Sequence, residues 1–278
     1  MRKFLKRKYN SLKKEKGLPV YWSSHKHIKG ENWDNFGDAL VPFLVEKISG
    51  KKVSWHPLRS SKTNKVYIVI GSILELVGTD NIVWGAGIIK SNAQIANANI
   101  LAVRGPISYS RVLASGIKMK KIWGDPALLL PYYFSASKKA QSNKTLVIPH
   151  YVDFEEAKNL LSANENLELV DLKKGNLEEI ISEIAGARLI LSSSLHGLIV
   201  AHAYGVPAIW VKFTDDLDGD DIKFNDYFLS VGIRLYKPFK FHERLLEEVL
   251  EKDILLPDLK LLNKVQLKLI ESCPFLNK

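Results

Sequence analysis

The chain has 278 residues, of which 46% are apolar and 25% are charged. This composition is typical of a folded globular protein and excludes a wholly disordered or collagen-like chain. No run approaches the roughly 18 consecutive apolar residues of a membrane-spanning helix. The first 17 residues lack the apolar centre of a secretory signal. The length suits one large domain or two modest ones.

The net charge of +10 is concentrated at the N-terminus. Residues 1–16, which we call the basic extension, contain eight Lys or Arg and one Glu, so the remaining 262 residues carry only +3. A nearly balanced body without a recognition motif argues against nucleic-acid binding. The apolar residues of the extension share one helical side. This pattern predicts either a basic amphipathic helix on an anionic membrane surface or a solvated terminus.

Cysteine and acidic residues give no sign of a metal site. Cys273 is the only cysteine, so an internal disulfide is impossible and a reducing compartment is expected. The five aspartates between positions 215 and 221 lack the spacing and closing Glu of a calcium loop, so they predict a solvated loop. We expect a cytoplasmic protein without a metal, which lies at the inner face of the membrane if the basic extension binds lipid.

Strand-like and helix-like runs alternate through residues 17–134. Short apolar runs predict strands at 20–23, 65–70, 81–84, 99–103 and 121–123. Helical spacing of apolar residues predicts a helix over 38–48, and Pro106 marks the first turn of another helix after Arg104-Gly105.

The polar stretch 135–144 has no apolar periodicity and predicts a linker. Alternation then resumes, with strands expected at 145–148, 167–172, 188–191 and 207–211. Helices are expected at 153–163, 177–185, 195–204, 224–231, 241–252 and 257–271. The pattern predicts an α/β fold of two domains, 17–134 and 145–278, whose parallel sheets face each other across a cleft. The last two helices are expected to pack back on this body.

Ligands of parallel sheets bind where strands end and helices begin, so these junctions are the candidate sites. At Ser192–Gly197, serines follow an apolar strand and precede a helix, whose free N–H groups favour an anion. His196 falls in the first turn of that helix and suits proton transfer near neutral pH. The same pattern also fits a packed histidine with capping serines. His202 lies on another face and is expected to be structural.

Three further junctions carry polar groups or glycines. Arg104 follows a strand and suits bidentate binding of a carboxylate or phosphate, or it covers the strand end. Asn35-Phe36-Gly37-Asp38 suits a helix cap or contact with sugar hydroxyls. Gly85 and Gly87 would allow close approach of backbone to a ligand, although a GxG pair is common. Asp125 is expected to be a cap or a residue behind the site.

Together these motifs resemble the polysaccharide pyruvyl transferase family. The resemblance follows family order over residues 20–232 and rests on Asn35–Asp38, Gly85-Ala86-Gly87, Arg104–Ser108, Asp125–Ala127, Ser193–Gly197, Gly205–Pro207 and Lys223–Tyr227. It implies a GT-B-like pair of Rossmann-like domains and transfer of the enolpyruvyl unit of phosphoenolpyruvate to two hydroxyls of one sugar. A pyruvate ketal and phosphate would be the products, and no cofactor is expected beyond phosphoenolpyruvate as co-substrate.

The resemblance also implies roles for individual residues. The donor would be bound by Arg104, Ser194 and Leu195, with Gly85 and Gly87 near it. The acceptor, a sugar or lipid-linked oligosaccharide of a surface polysaccharide, would lie on the side of the N-terminal domain. The acceptor residues would be Asn35, Gly37 and Asp38.

Two further assignments concern proton transfer and the charge that binds the donor. The second follows from a position where this chain departs from the family pattern. His196 is assigned the general acid/base role, because it is the only histidine found at a predicted ligand junction. Many family members have Arg where this chain has Ser194, so Lys223 is expected to supply the missing donor charge.

Two other functions fit the same architecture. One is a glycosyltransferase that uses a nucleotide sugar, although no Glu is clearly placed for a nucleotide in the C-terminal half. The other is a glycan-binding assembly protein without catalytic activity.

Overall fold

The computed structural model describes residues 17–58, 65–136, 144–161, 167–173, 175–215, 219–242, 244–249 and 255–276. The basic extension, most of the predicted linker and part of the predicted acidic loop lie outside these residues. None of the described helices combines the length and apolar character that a bilayer span requires.

The first half forms one parallel sheet. Its strands are β1 (Leu18–Tyr21), β2 (Val53–Trp55), β3 (Val66–Ile68), β4 (Asn81–Trp84) and β5 (Asn99–Ala102). They lie in the order β2-β1-β3-β4-β5, and each neighbouring pair is parallel. The helices of this half are α1 (His25–Lys29), α2 (Phe36–Ser49), α3 (Pro106–Ala114) and α4 (Leu130–Tyr133), with 3-10 turns at Leu74–Leu76 and Pro126–Leu129.

The second half forms another parallel sheet. Its strands are β6 (Thr145–Ile148), β7 (Leu167–Leu169), β8 (Leu189–Ser192), β9 (Ala208–Lys212) and β10 (Phe239–Lys240). They lie in the order β10-β9-β8-β6-β7, again with parallel neighbours. The helices of this half are α5 (Phe154–Leu160), α6 (Leu177–Gly186), α7 (Leu195–Ala203), α8 (Ile222–Ser230), α9 (Leu245–Glu248) and α10 (Leu259–Ser272).

The predicted α/β class with two parallel sheets is confirmed, and several predicted bounds are wrong. The strand expected at 121–123 is reduced to a single bridge between Trp123 and Val103. The helix expected at 241–252 is formed, within the described residues, only at α9. The short helix α1 was not predicted, because five residues give too little periodicity.

The two halves share one core, and α10 packs back on the body as predicted, with its contacts on the first half. The Trp84 Nε1–H donates to Leu269 O at 3.1 Å, and the Gln266 amide donates to Leu128 O at 2.8 Å. Phe275, just after α10, packs edge-on against Trp84. Because the last helix belongs to the first half in space, the domain bounds proposed from sequence stay a prediction.

This topology brings several strand ends together. Parallel strands end at the same edge of a sheet, and ligands bind beyond that edge. Ser23 follows β1, Ser72 follows β3, His150 follows β6 and Ser194 follows β8. All four residues line a single cavity, which we describe next.

Candidate functional site

A cavity of about 180 Å³ is lined by residues of both halves of the chain. The first half contributes Ser23, Asn35, Asp38, Gly71, Ser72, Ile73 and Ile89. The second half contributes His150, Ser194, Leu195, His196 and Lys223. The cavity therefore combines hydroxyl, carboxylate, imidazole and ammonium groups in a small space.

The start of α7 faces this cavity, and two of the serines before it hydrogen-bond to the rest of the fold. Ser192 Oγ donates to Ile148 O at 2.7 Å and accepts from the Ser194 N–H at 3.0 Å. Ser193 Oγ donates to Asp153 Oδ2 at 2.6 Å and accepts from the His150 N–H at 2.9 Å. Ser192 and Ser193 are thus committed to the fold, whereas Ser194 lies on the cavity wall.

The first turn of α7 is a site for a negative charge. Ser194 is the N-cap residue, and among the described residues no side chain caps the first turn. The N–H groups of a first helical turn have no partner within the helix and carry partial positive charge. Lys223, in the first turn of α8, lines the same cavity. These two features make the second-half wall favourable for an anion.

His196 lies between two helix starts and beside a buried carboxylate. Its Nε2 is 3.6 Å from Asp125 Oδ2, and its side chain is 12% exposed. Asp125 is buried, and its Oδ1 accepts the Ala127 N–H at 2.9 Å, which leaves Oδ2 for the histidine. On the other side the ring lies against Gly37 so closely that a Cβ there would overlap Nδ1. The imidazole is therefore packed between Gly37 and Asp125, and neither its Nε2 nor Asp125 Oδ2 makes a hydrogen bond among the described residues.

Asp38 is a buried carboxyl on the first-half wall. It lies in the first turn of α2 and accepts the Ser23 N–H and the Asn35 amide, each at 3.1 Å. Burial raises its pKa to about 6, although Asn35 and the nearby His196 act in the opposite direction. A carboxyl with this pKa can exchange protons near neutral pH.

His150 is a cavity residue that the sequence interpretation missed. Burial lowers its pKa to about 3, with further lowering by the positive charges of Lys223 and His196. The ring is therefore neutral near pH 7, and its Nδ1 is buried without a hydrogen-bond partner among the described residues. Its position directly after the predicted strand 145–148 was a signal that could have identified it.

The expectation that Arg104 contacts a ligand is not supported, because its guanidinium is buried behind the cavity wall. The side chain is 1% exposed and lies 3.2 Å from Asp226 Oδ2. It also donates to Ser72 Oγ at 2.6 Å and to Ile88 O at 2.7 Å. Arg104 therefore reaches the cavity only through Ser72, and its contact with a donor stays a prediction.

The Arg104 junction was expected to bind an anionic ligand, and the anion found there is the carboxylate of Asp226. Asp226 Oδ1 accepts the Ile107 and Ser108 N–H groups at 2.9 and 3.0 Å, and Oδ2 accepts from Ser108 Oγ at 2.6 Å. A carboxylate from α8 thus caps α3 of the other half. Residue pattern alone could not distinguish this internal anion from a ligand.

Close packing surrounds three glycines that were expected to lie near a ligand. A Cβ on Gly85 would overlap Pro126, and a Cβ on Gly87 would overlap the Arg104 guanidinium. Both residues therefore permit close packing of the interior, and neither lines the cavity. Gly37, expected near the acceptor, makes room for His196.

The structure brings most of the predicted site residues to one place. Asn35, Asp38, Ser194, Leu195, His196 and Lys223 line the cavity, together with the unpredicted Ser23, Ser72 and His150.

His202 does not line the cavity. It is buried against Tyr227, with Nδ1 2.9 Å from the phenolic oxygen, and burial lowers its pKa to about 4. The described residues contain no group of three or more His, Cys, Asp or Glu that could hold a metal ion.

Two parallel sheets and a polar cavity lined by both halves define a two-part α/β protein with a candidate ligand site at the junction of the halves. The family model of polysaccharide pyruvyl transferases matches residues 3–213, and the chain belongs to this family. Membership supports a pyruvyl transfer role for the protein.

Two curated proteins are related in sequence. Uncharacterized protein L143 of Acanthamoeba polyphaga mimivirus is 27% identical over 206 residues, which cover 72% of this chain and 71% of that protein. Succinoglycan biosynthesis protein ExoV of Rhizobium meliloti (strain 1021) is 23% identical over 229 residues, which cover 79% of this chain and 66% of ExoV.

Solved structures show only a distant overall likeness. The functionally uncharacterized protein KP1_0663 of Klebsiella pneumoniae has a TM-score of 0.43 at 13% identity, covering 80% of this chain and 92% of its own. UDP-GlcNAc 2-epimerase of Methanocaldococcus jannaschii has a TM-score of 0.38 at 11% identity, covering 83% and 98%. The fold class therefore rests on the strand order and pairing of this chain.

Proposed function

We propose that this protein transfers the enolpyruvyl group of phosphoenolpyruvate to two hydroxyls of one sugar in a surface polysaccharide precursor. The observation that carries the proposal is the small cavity in which an open helix start, Lys223 and His196 meet. Family membership and the name of the relative ExoV support the reaction class and the polysaccharide context.

The size of the cavity favours a small donor. Its volume of about 180 Å³ is below the roughly 300–1,000 Å³ of pockets that enclose drug-sized ligands. Phosphoenolpyruvate has three carbons and two anionic groups, and a nucleotide sugar is far larger. The N–H groups at the start of α7 and the Lys223 ammonium provide two positive centres for those anionic groups.

The reaction needs one proton on the methylene carbon and the removal of a proton from each of two hydroxyls, and the cavity holds two groups suited to proton transfer. In the first step one sugar hydroxyl loses its proton as its oxygen adds to the central carbon of the donor, and a proton is delivered to the methylene carbon, which becomes a methyl group. In the second step the other hydroxyl replaces phosphate at the same carbon. The proton of that hydroxyl leaves with the phosphate, so atoms and charges balance.

His196 is the first of these groups. Its Nε2 lies 3.6 Å from Asp125 Oδ2 and the residue lines the cavity, and these two observations support general acid/base catalysis by His196. Asp38, whose pKa is raised to about 6, is the second group and faces the same cavity. We assign His196 to the donor carbon and Asp38 to an acceptor hydroxyl.

A phosphate-release assay coupled to mass spectrometry tests the proposal. Purified protein is incubated with phosphoenolpyruvate and lipid-linked sugars, and the product is examined for a gained pyruvate ketal. We expect His196→Ala to retain its fold and lose roughly 10²–10⁴ in rate. Consumption of a UDP- or GDP-sugar without use of phosphoenolpyruvate would establish a glycosyltransferase instead. Glycan binding without turnover of either donor would indicate an assembly protein.

We also propose that the basic extension holds the protein at an anionic membrane, where a lipid-linked acceptor is located. Its charge and amphipathic pattern support this proposal. Flotation with anionic liposomes, with and without residues 1–16, tests it. Equal binding of both forms would contradict it.

A further inference from the structure

A chain of aromatic rings extends outward from the cavity wall. His150, which lines the cavity, packs against Tyr151 with ring centroids 4.5 Å apart. Tyr151 packs against Trp33 at 5.1 Å, and Trp33 packs against His25 at 4.3 Å. We call His25, Trp33 and Tyr151 the aromatic platform. It is continuous with the cavity through His150.

Both halves of the chain build the platform. His25 begins α1 and Trp33 lies on the connection between α1 and α2, whereas Tyr151 follows β6 of the second half. Trp33 and Tyr151 are partly exposed, and the His25 side chain is 11% exposed, at the junction of the halves. The mechanism proposed above does not use any of them.

Charged groups surround the platform. The Lys173 ammonium lies 4.7 Å from the centroid of the Trp33 ring and 5.5 Å from that of Tyr151. Glu31 Oε2 lies 3.0 Å from His25 Nδ1. Aromatic faces beside hydrogen-bonding groups suit a ligand that is apolar on one face and hydroxylated at its edge. A pyranose ring has this chemistry.

We propose that the aromatic platform binds the sugar ring of the acceptor. The proposal rests on the proposed function, because a transferase must place its acceptor against its donor. The cavity of about 180 Å³ is small for both molecules at once, so the acceptor ring must lie at its border. The platform meets that border at His150, and the exposed Lys173 side chain moves aside or contacts the hydroxyls of the bound sugar.

Substitution of Trp33 tests this assignment, because its effect on the KM for the sugar acceptor can be compared with its effect on the KM for phosphoenolpyruvate. We expect Trp33→Ala to raise the KM for the sugar acceptor about tenfold, with the KM for phosphoenolpyruvate unchanged. Trp33→Phe keeps an aromatic face and should restore much of the loss. Tyr132→Ala is the matched control, because Tyr132 is an exposed ring on α4 that does not line the cavity.

Lys173 provides a second comparison. Lys173→Ala should alter acceptor binding, whereas Lys121→Ala should not, although Lys121 makes a similar cation–π contact with Trp123 at 5.6 Å. Thermal unfolding of each variant establishes that the fold is retained. Binding of the sugar alone is followed by saturation-transfer NMR, which does not depend on turnover.

The outcomes test sugar binding by the aromatic platform separately from the proposed transferase activity. An active wild type whose acceptor KM is the same in Trp33→Ala would overturn the platform and leave the proposed function standing. A wild type that binds the sugar but releases no phosphate, together with loss of sugar binding in Trp33→Ala, would support the platform and overturn the transferase. Loss of UDP or GDP binding in Trp33→Ala, with sugar binding intact, would also overturn the platform.

Discussion

At the residue scale, the proposed proton transfer by His196 is tested at Asp125, whose Oδ2 lies 3.6 Å from the imidazole Nε2. We predict that Asp125→Asn lowers kcat about 10- to 10³-fold, with little change in the KM for phosphoenolpyruvate. The Asn side chain keeps an oxygen for the Ala127 N–H, so the local turn is retained, but it places no charge beside Nε2. Steady-state kinetics measure the effect, and an unchanged kcat would remove Asp125 from the mechanism.

The carboxyl of Asp38 links protonation to stability. Burial raises its pKa from 3.8 to about 6, so between these values the folded state keeps a proton that the unfolded state loses. The contribution of this group to stability is therefore complete below about pH 4 and is lost as the pH rises to about 6.

We predict from this shift that Asp38→Asn gains stability relative to the wild type as the pH rises. The relative gain should reach about 3 kcal/mol at about pH 7, because the neutral amide avoids a buried charge. Asn35 can turn its amide to present oxygen to the new side chain. Urea unfolding at about pH 4 and about pH 7 measures the difference. A difference that does not change with pH would contradict the raised pKa.

Single residues also show where sequence reasoning works and where it stops. Asp38 and His196 were located because helix starts after strands converge in parallel sheets, and both do line the cavity. Arg104 follows the same pattern but is paired with Asp226, which is 122 positions away. A partner so distant cannot be found from local pattern, so a buried structural arginine resembles a ligand-binding one.

At the scale of elements, the starts of α2 and α7 meet at Gly37 and His196. We predict that Gly37→Ala lowers activity more than tenfold, because the new methyl group would displace the imidazole from its position beside Asp125. Helix propensity favours alanine over glycine by about 1 kcal/mol, which offsets part of any packing cost. We therefore expect the loss in kcat to be larger than any loss in the free energy of unfolding.

Gly78→Ala is the matched control for this substitution. A Cβ on Gly78 would meet only Asn81 Oδ1, at 4.0 Å, which is ordinary contact. Kinetics and thermal unfolding of both variants separate a site effect from a fold effect. Equal activity of Gly37→Ala and wild type would show that the imidazole does not need this space.

The elements differ in how far periodicity predicts them. Helix α2 and strands β6 and β8 were predicted because apolar spacing continues over several residues. Helix α1 has no buried residue, so it has no apolar pattern to detect. Its N-terminus is fixed instead by Ser24, whose side chain accepts the His27 N–H at 3.1 Å. The platform residue His25 was missed with it.

At the scale of the whole molecule, a carboxylate of the second half binds the start of α3 in the first half. Asp226 is fully buried and binds the first turn of α3, the Ser108 hydroxyl and Arg104. Gly105 makes this approach possible, because a Cβ there would overlap the Asp226 carbonyl. The motif that sequence analysis assigned to a donor ligand is therefore part of the junction between the halves, and the cavity wall at Ser72 depends on it through Arg104.

We predict that Asp226→Ala lowers the free energy of unfolding by about 3–5 kcal/mol, because it leaves the Arg104 charge buried without its partner. Asp226→Asn keeps an acceptor for the helix N–H groups and should lose less. Asp220→Ala is the control, since Asp220 also accepts across the halves, from the Ser91 N–H at 2.8 Å, but is exposed; its expected loss is about 1 kcal/mol. Urea unfolding measures all three, and equal losses for Asp226→Ala and Asp220→Ala would show that the buried network does not hold the halves together.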